Sequence, residues 1–224
     1  MPIPLESAVV LGATGLVGRR LLHALTSDAE CTRVVTIGRR PTGLVASTLT
    51  EVTADLAEPE TYRAYLKTDC VFCALGTTLK KSGSEEAFRR VDHDYPLIVA
   101  REALAAGARR YALVSAVGAD STSRVFYNRV KGELEDALRG LPFPSGVRIL
   151  HPSVLLGERN ESRPAEQIAA AFMRVTGPLF GGGLKKYRAI SADDVARALI
   201  TAARSDGDGA VTYEGEPLFA AARR

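Results

Sequence analysis

The chain alternates short apolar runs with longer stretches in which apolar residues return every three to four positions. The short runs are Ser7–Leu11, Arg33–Gly38, Ser47–Val52, Cys70–Ala74, Arg110–Ser115 and Val147–Pro152. Most are near-continuous in Val, Ile, Leu, Ala or Cys, the pattern of strands buried on both faces, and each predicts a strand. Leu16–Ser27 puts Val17, Leu21 and Leu25 on one stripe and leaves Arg19, Arg20 and His23 mostly off it. Glu85–Ala106 has helical periodicity, with a break or kink expected at Pro96, which lacks an N–H. Ser123–Arg139 gathers Val130, Leu134, Ala137 and Leu138 on one face. Strands alternating with helices predict an α/β fold: one Rossmann-like, doubly wound parallel sheet, wound right-handed, with helices on both sides.

The texture changes after Pro152. Leu156–Arg163 reads as a polar loop, Pro164–Val175 as a short helix and Gly177–Lys186 as a glycine-rich loop. Asp193–Ser205 reads as a last helix, and Ala210–Tyr213 as a short strand. Ligands in such folds lie at the carboxyl ends of the strands. The expectation is therefore one domain, with residues 1–152 as the dinucleotide core and 153–224 as a substrate-side cap. Pro152, Phe180 and the Gly181-Gly182-Gly183 loop are candidates for the substrate mouth.

Composition narrows the functional classes. A length of 224 residues with 46% apolar content suits one α/β domain with a sizeable core. A net charge of +3, from 29 basic and 26 acidic residues, gives no case for a nucleic-acid partner. No apolar run approaches the ~20 residues of a membrane span, and no export signal is evident, so the cytoplasm is the expected compartment. A monomer or weak homodimer is expected. Three cysteines without framework spacing fit a reducing environment. Cys70-x-x-Cys73 is not read as a metal or redox pair, because positions i and i+3 of a strand face opposite ways.

The turn after the first strand reads Gly12-Ala-Thr14-Gly15-Leu16-Val17-Gly18. Glycines are needed where the backbone turns sharply, where it touches phosphate, and where helix and strand pack closely. Amides opening the helix would then face a pyrophosphate. The second strand ends in Gly38-Arg39-Arg40 rather than in the acid that an NAD ribose wants. Guanidiniums suit a 2′-phosphate, so NADP(H) is the expected cofactor, with Arg39 on phosphate and Arg40 beside the adenine. Asp55-Leu56, Leu75-Gly76-Thr77 and Pro152 follow later strands, where further cofactor contacts are expected.

Tyr127 and Lys131 are four residues apart on a predicted helix and share a face. Ser115 ends the fifth strand. A phenol is a poor base at neutral pH, and a nearby ammonium favours its ionised form. A serine hydroxyl can hold a substrate oxygen beside it. Ser115, Tyr127 and Lys131 are therefore the candidate catalytic set for proton transfer coupled to hydride transfer. Ser121, Thr122 and Ser123 are expected to form the preceding loop and cap the helix. His151 ends the sixth strand, where it could touch the nicotinamide pocket, though a structural role is the commoner one. His23 and His93 read as surface helix residues.

With these residues in view, the chain resembles the atypical short-chain dehydrogenase/reductase superfamily. It is most similar to the branch of the Tat-interacting tumour-suppressor oxidoreductase and its small bacterial relatives. The stretches GATGLVG, IGRR, CALGTT, EEAFRRVDHDYPL, VSAVGAD, FYNRVKGELE and ERNESRPAE carry the resemblance. It implies a single Rossmann-like domain that binds NADPH, and Ser115, Tyr127 and Lys131 as catalytic triad. It implies no substrate. There are two departures: where many members carry an asparagine on the fourth helix, the VDHDY segment here has Asp92, and where many extended members have Arg-Pro after the sixth strand, this chain has His151-Pro152-Ser153.

Overall fold

The structure, a computed structural model, describes residues 4–156 and 188–223. The expected helix Pro164–Val175, the loop Gly177–Lys186 with Phe180 and Gly181–Gly183, and the ERNESRPAE stretch lie outside the described residues.

Seven parallel strands form the main sheet: β1 (Ser7–Leu11), β2 (Arg33–Gly38), β3 (Leu49–Thr53), β4 (Cys70–Cys73), β5 (Arg110–Val114), β6 (Val147–His151) and β9 (Ala210–Glu214). Their order is β3-β2-β1-β4-β5-β6-β9. The order reverses between β1 and β4, which opens a crevice at the carboxyl edge. β7 (Leu155–Leu156) and β8 (Ile190–Ser191) form a separate parallel pair. The central strands β1, β4, β5 and β6 are buried almost throughout. That is why periodicity could find them, whereas β3, at the edge and mostly exposed, is displaced by two residues from its expected start.

The helices divide between the two faces. α1 (Leu16–Thr26) and α6 (Ala192–Arg204) pack on one side with Val10, Cys70 and Phe72. α4 (Tyr95–Ala105) and α5 (Phe126–Arg139) pack on the other with Val9, Val71 and Cys73. Cys70 and Cys73 thus face opposite layers, and burial pushes both thiols above their ordinary range. Leu21, Leu22 and Leu25 of α1 are buried, each contributing about 1.5–3 kcal/mol.

Two expectations need correction. The segment after β8 was expected over the substrate edge. Instead α6 enters the core, β9 completes the sheet beside β6, and α7 (Glu216–Ala222) packs on α6. The small apolar face of α6 (Ala192, Val195, Ala196, Ala198, Leu199) lets it lie close to α1 and the sheet. The deformation expected at Pro96 sits upstream. The helical run α3 (Glu85–Arg89) continues through a π turn, Arg90–Asp94, into α4, which has Pro96 in its first turn. Proline offers no N–H to the preceding turn, and the backbone accommodates this by widening before it.

Candidate functional site

The glycine turn joins β1 to α1 at the carboxyl edge. Gly12 has φ +77°, and a Cβ there would lie 2.6 Å from the Ala74 carbonyl oxygen of the neighbouring strand end. Gly18 is buried on α1, where a Cβ would overlap the Gly12 carbonyl. Both glycines are therefore required by packing. Gly15 is exposed, and its N–H donates to the Gly12 carbonyl at 2.9 Å. It caps α1 without a side-chain acceptor, and the first turn carries no acid. Thr14 and Leu16 are half-buried beside it and Val17 is buried. An uncapped N-terminus of an eleven-residue helix at the sheet's switch point fits a pyrophosphate, whose charge the free amides and helix dipole favour.

Arg39 and Arg40 are exposed at the end of β2, and among the described residues neither forms an ion pair. Asp55 is exposed, and its carboxylate accepts the Ala57 N–H at 2.9 Å. Leu56 beside it is buried. After β4, Leu75 and Thr77 are half-buried and Gly76 is exposed. A Cβ on Gly76 would approach the Asp92 carboxylate at 3.5 Å and the Lys131 ammonium at 3.9 Å. Pro152 is buried, with its carbonyl accepting the Val117 N–H at 3.1 Å.

Tyr127 and Lys131 lie one turn apart on α5. Tyr127 is half-buried, with its ring 5.5 Å from the fully buried Phe88 of α3. Lys131 is buried and its Nζ lies 2.7 Å from Asp92 Oδ1, on the π turn. The other Asp92 oxygen accepts the Thr77 N–H at 2.8 Å. Burial by itself disfavours the Lys131 charge, but the Asp92 carboxylate, and after it Tyr127, outweigh that and hold the ammonium above its ordinary value. The π turn thus ties the strand-β4 loop to α5 through one carboxylate.

Ser115 is not joined to this pair by any described hydrogen bond. Its hydroxyl donates to the buried Glu135 carboxylate of α5. The same Glu135 oxygen lies 2.8 Å from His151 Nε2, and the other oxygen accepts from Arg139 at 3.0 Å. His151 Nδ1 faces Glu214 of β9 at 3.7 Å. His151 thus ties β6 to α5 and β9. Glu135 was missed, although an acid on the stripe shared by Lys131, Leu134 and Leu138 was the available signal. Ser123 and its neighbours hold the loop but do not cap α5. Val125 is the cap residue, while Ser121 donates to Asp136 at 2.6 Å and Ser123 accepts the Val125 N–H at 3.2 Å. His23 is exposed, as expected, whereas His93 is half-buried with Nδ1 2.8 Å from Asp94. Among the described residues no cluster could hold a metal ion, and no helix is long and apolar enough to cross a membrane.

Comparison with known proteins agrees with this geometry. A family described as NAD(P)H-binding matches residues 12–140. A protein of Aspergillus fumigatus named fmp52, mitochondrial, is 35% identical over 222 residues, covering 96% of this chain and 94% of that one. The protein HTATIP2 of Rattus norvegicus is 35% identical over 208 residues, covering 91% and 84%. Among solved structures, MoeE5 in complex with UDP-glucuronic acid and NAD superposes with a TM-score of 0.70 at 18% identity, over 92% of this chain and 75% of that one. The UDP-N-acetylglucosamine 4-epimerase of Methanobrevibacter ruminantium M1 gives 0.69 at 19% identity, over 95% and 77%. At such identities these structures speak to the fold alone. The chain belongs to the NAD(P)H-binding family and, within the atypical short-chain dehydrogenase/reductase superfamily, to the HTATIP2-like branch.

Proposed function

We propose that the protein is an NADPH-dependent oxidoreductase acting on a small carbonyl or alcohol, with Tyr127 as the acid/base. The observation that carries this reading is the half-buried phenol one turn from a buried ammonium whose charge is secured at 2.7 Å by Asp92. The amides opening α1, with Gly12, Gly15 and Gly18, would hold the pyrophosphate. Leu75, Gly76, Thr77 and Pro152 would line the nicotinamide half, and Asp55-Leu56 the adenine. When bound, the cofactor supplies or accepts a hydride; Tyr127 gives or takes the accompanying proton at the substrate oxygen. Exposed Arg39 and Arg40, with no acid beside them at the end of β2, support NADPH over NADH. We read the chain as a monomer or weak homodimer without nucleic-acid or membrane partners. The reducing cytoplasm suits its three free thiols, although the fungal relatives are named mitochondrial.

Tyr127→Phe removes the proton donor and leaves the ring against Phe88. In a panel of small aldehydes, ketones and quinones it is expected to lower kcat by about 10²–10⁴-fold with NADPH binding retained. Turnover equal to wild type would refute Tyr127 as acid/base. Arg39→Ala should weaken NADPH by about 1.5–3 kcal/mol, the value of a hydrogen bond to a charged group, and spare NADH in calorimetric titration. Equal losses for both cofactors would refute the 2′-phosphate contact.

A second reading has one observation in its favour. Ser115, the expected partner of the substrate oxygen, has its hydroxyl committed to Glu135. An NADPH-binding redox sensor with little or no catalysis needs no such partner. Tight NADPH binding without turnover of any member of the panel by the wild type would favour the sensor.

A further inference from the structure

Ser115 stands at the edge that carries the glycine turn. The register aligns Leu11, Cys73, Leu113 and Ile149, so Leu75, Ser115 and His151, two positions further on, lie together at the carboxyl ends of β4, β5 and β6. Side chains alternate along a strand, so Ser115 faces the α5 side with Leu113. There α5 carries Tyr127, Lys131 and Glu135 at intervals of four, on one stripe. The Ser115 hydroxyl has one proton, and it goes to Glu135. Glu135 cannot return one. It is a buried carboxylate on which Arg139 at 3.0 Å and His151 Nε2 at 2.8 Å also converge. An oxygen that only accepts requires the His151 proton on Nε2. No other side-chain partner of Ser115 is present among the described residues. What Ser115 can offer a ligand is therefore its acceptor lone pairs and no proton.

We propose that Ser115 accepts a hydrogen bond from a second hydroxyl of the substrate, so that the site takes carbonyl compounds bearing a hydroxyl near the reacting carbon, and the corresponding diols. This rests on the oxidoreductase reading and names the substrate class for it. The reacting group itself cannot serve Ser115. A carbonyl oxygen has lone pairs only, and two acceptors set face to face gain nothing. The alcohol form has one O–H, and its proton is the one exchanged with Tyr127. A hydroxyl on a nearby carbon supplies the missing donor. A plain ketone would leave the Ser115 oxygen without that donor, which discriminates against it. Glu135 touches neither substrate nor cofactor in this account; it is a positioning residue that acts by fixing the direction of the Ser115 proton. The commitment of that proton then marks a choice of substrate rather than a loss of catalysis.

Isosteric pairs test this: hydroxyacetone against butanone, and 4-hydroxy-2-butanone against 2-pentanone, each reduced with NADPH. The readout is the ratio of kcat/KM within a pair, in which general damage to the protein cancels. Ser115→Ala is expected to lower the ratio of at least one pair by about 3–10-fold, the value of one hydrogen bond. Glu135→Leu, which releases the Ser115 proton, should lower the same ratio. Ratios unchanged in Ser115→Ala would overturn the proposal, since a serine that donates to the reacting oxygen serves both members of a pair alike. A ratio that falls in Ser115→Ala but holds in a folded Glu135→Leu would overturn the positioning role of Glu135. If the wild type reduces none of these ketones, the oxidoreductase reading fails. Saturation-transfer NMR of the same ketones on the NADP⁺-loaded protein then decides the acceptor role. Each hydroxy ketone should bind wild type more strongly than its partner and lose that margin in Ser115→Ala, and the absence of a margin would overturn the proposal.

Discussion

The two ends of the sheet each bury cations, and they neutralise them differently. At the carboxyl edge, Lys131 meets a carboxylate 2.7 Å away, on a π turn. At the amino edge, Arg110 opens β5 and Arg148 lies second in β6, both essentially inaccessible to solvent. Neither arginine has a carboxylate in its described contacts. Arg110 donates to the carbonyls of Ser145, Ala203, Ser205 and Gly207, and Arg148 to those of Val147, Ser205, Asp206, Gly207 and Gly209. Several of these carbonyls end or follow α6, where the helix dipole is negative. Burial lowers both guanidiniums, Arg110 to about 10, while Lys131 is raised. A cation that braces backbone can rest on fixed dipoles. Lys131, one turn from Tyr127, rests instead on a single carboxylate that one substitution can remove.

The largest effect that distinguishes the two ends should come from Lys131→Met. It strands the Asp92 carboxylate in the interior, with the Thr77 N–H its remaining described partner. Breaking a buried pair on one side costs about 3–5 kcal/mol, read as a drop in the urea midpoint. Adding Asp92→Asn should recover at least half of the loss, because the amide oxygen still accepts from Thr77 and no buried charge remains. A double variant as unstable as Lys131→Met would mean that the site depends on the shape of Lys131 and not on its pairing. The sign with pH follows from the raised Lys131. Its contribution is fully present below the unfolded lysine value of about 10.4 and is lost only as pH rises through the folded value, so the cost of Lys131→Met should be constant from pH 7 to 9.

The same contrast explains what could be read from the chain before its structure. Buried strands and the glycine turn announce themselves because every residue obeys one local rule: Val9, Val10 and Leu11 are apolar, and Gly12 needs a positive φ. Tyr127 and Lys131 were legible because helical spacing is local too. The rest depends on pairings distant in sequence. Asp92 reaches Lys131 across 39 positions and Glu135 reaches His151 across 16. Ser115 illustrates the limit. Its place at a strand end was visible, but its hydroxyl bonds a glutamate 20 residues away that no motif marks. Arg110 and Arg148 read as polar interruptions of apolar strands, and their carbonyl partners lie 35–97 and 1–61 residues away. The placement of β9 was equally hidden, since three of its five residues are exposed and its pairing with β6 is set by α6 crossing the sheet.

Arg148→Met tests the amino edge and should show the smaller effect. The variant deletes donors to five carbonyls, yet residues 206–209 are exposed and can turn some of those groups to water. Removing the guanidinium also relieves the burial that lowers it. The net loss is expected at about 2–3 kcal/mol, the scale of one or two buried hydrogen bonds to a charged group rather than of all five. No second substitution should rescue it, because backbone carbonyls cannot be exchanged for a neutral partner as Asp92 can. NADPH affinity should stay within about twofold of wild type, since Arg148 enters β6 at the end opposite the glycine turn. A tenfold loss of NADPH affinity in a folded Arg148→Met would show that the two ends are coupled through β6 and would break the division drawn between a bracing edge and the edge that carries the glycine turn.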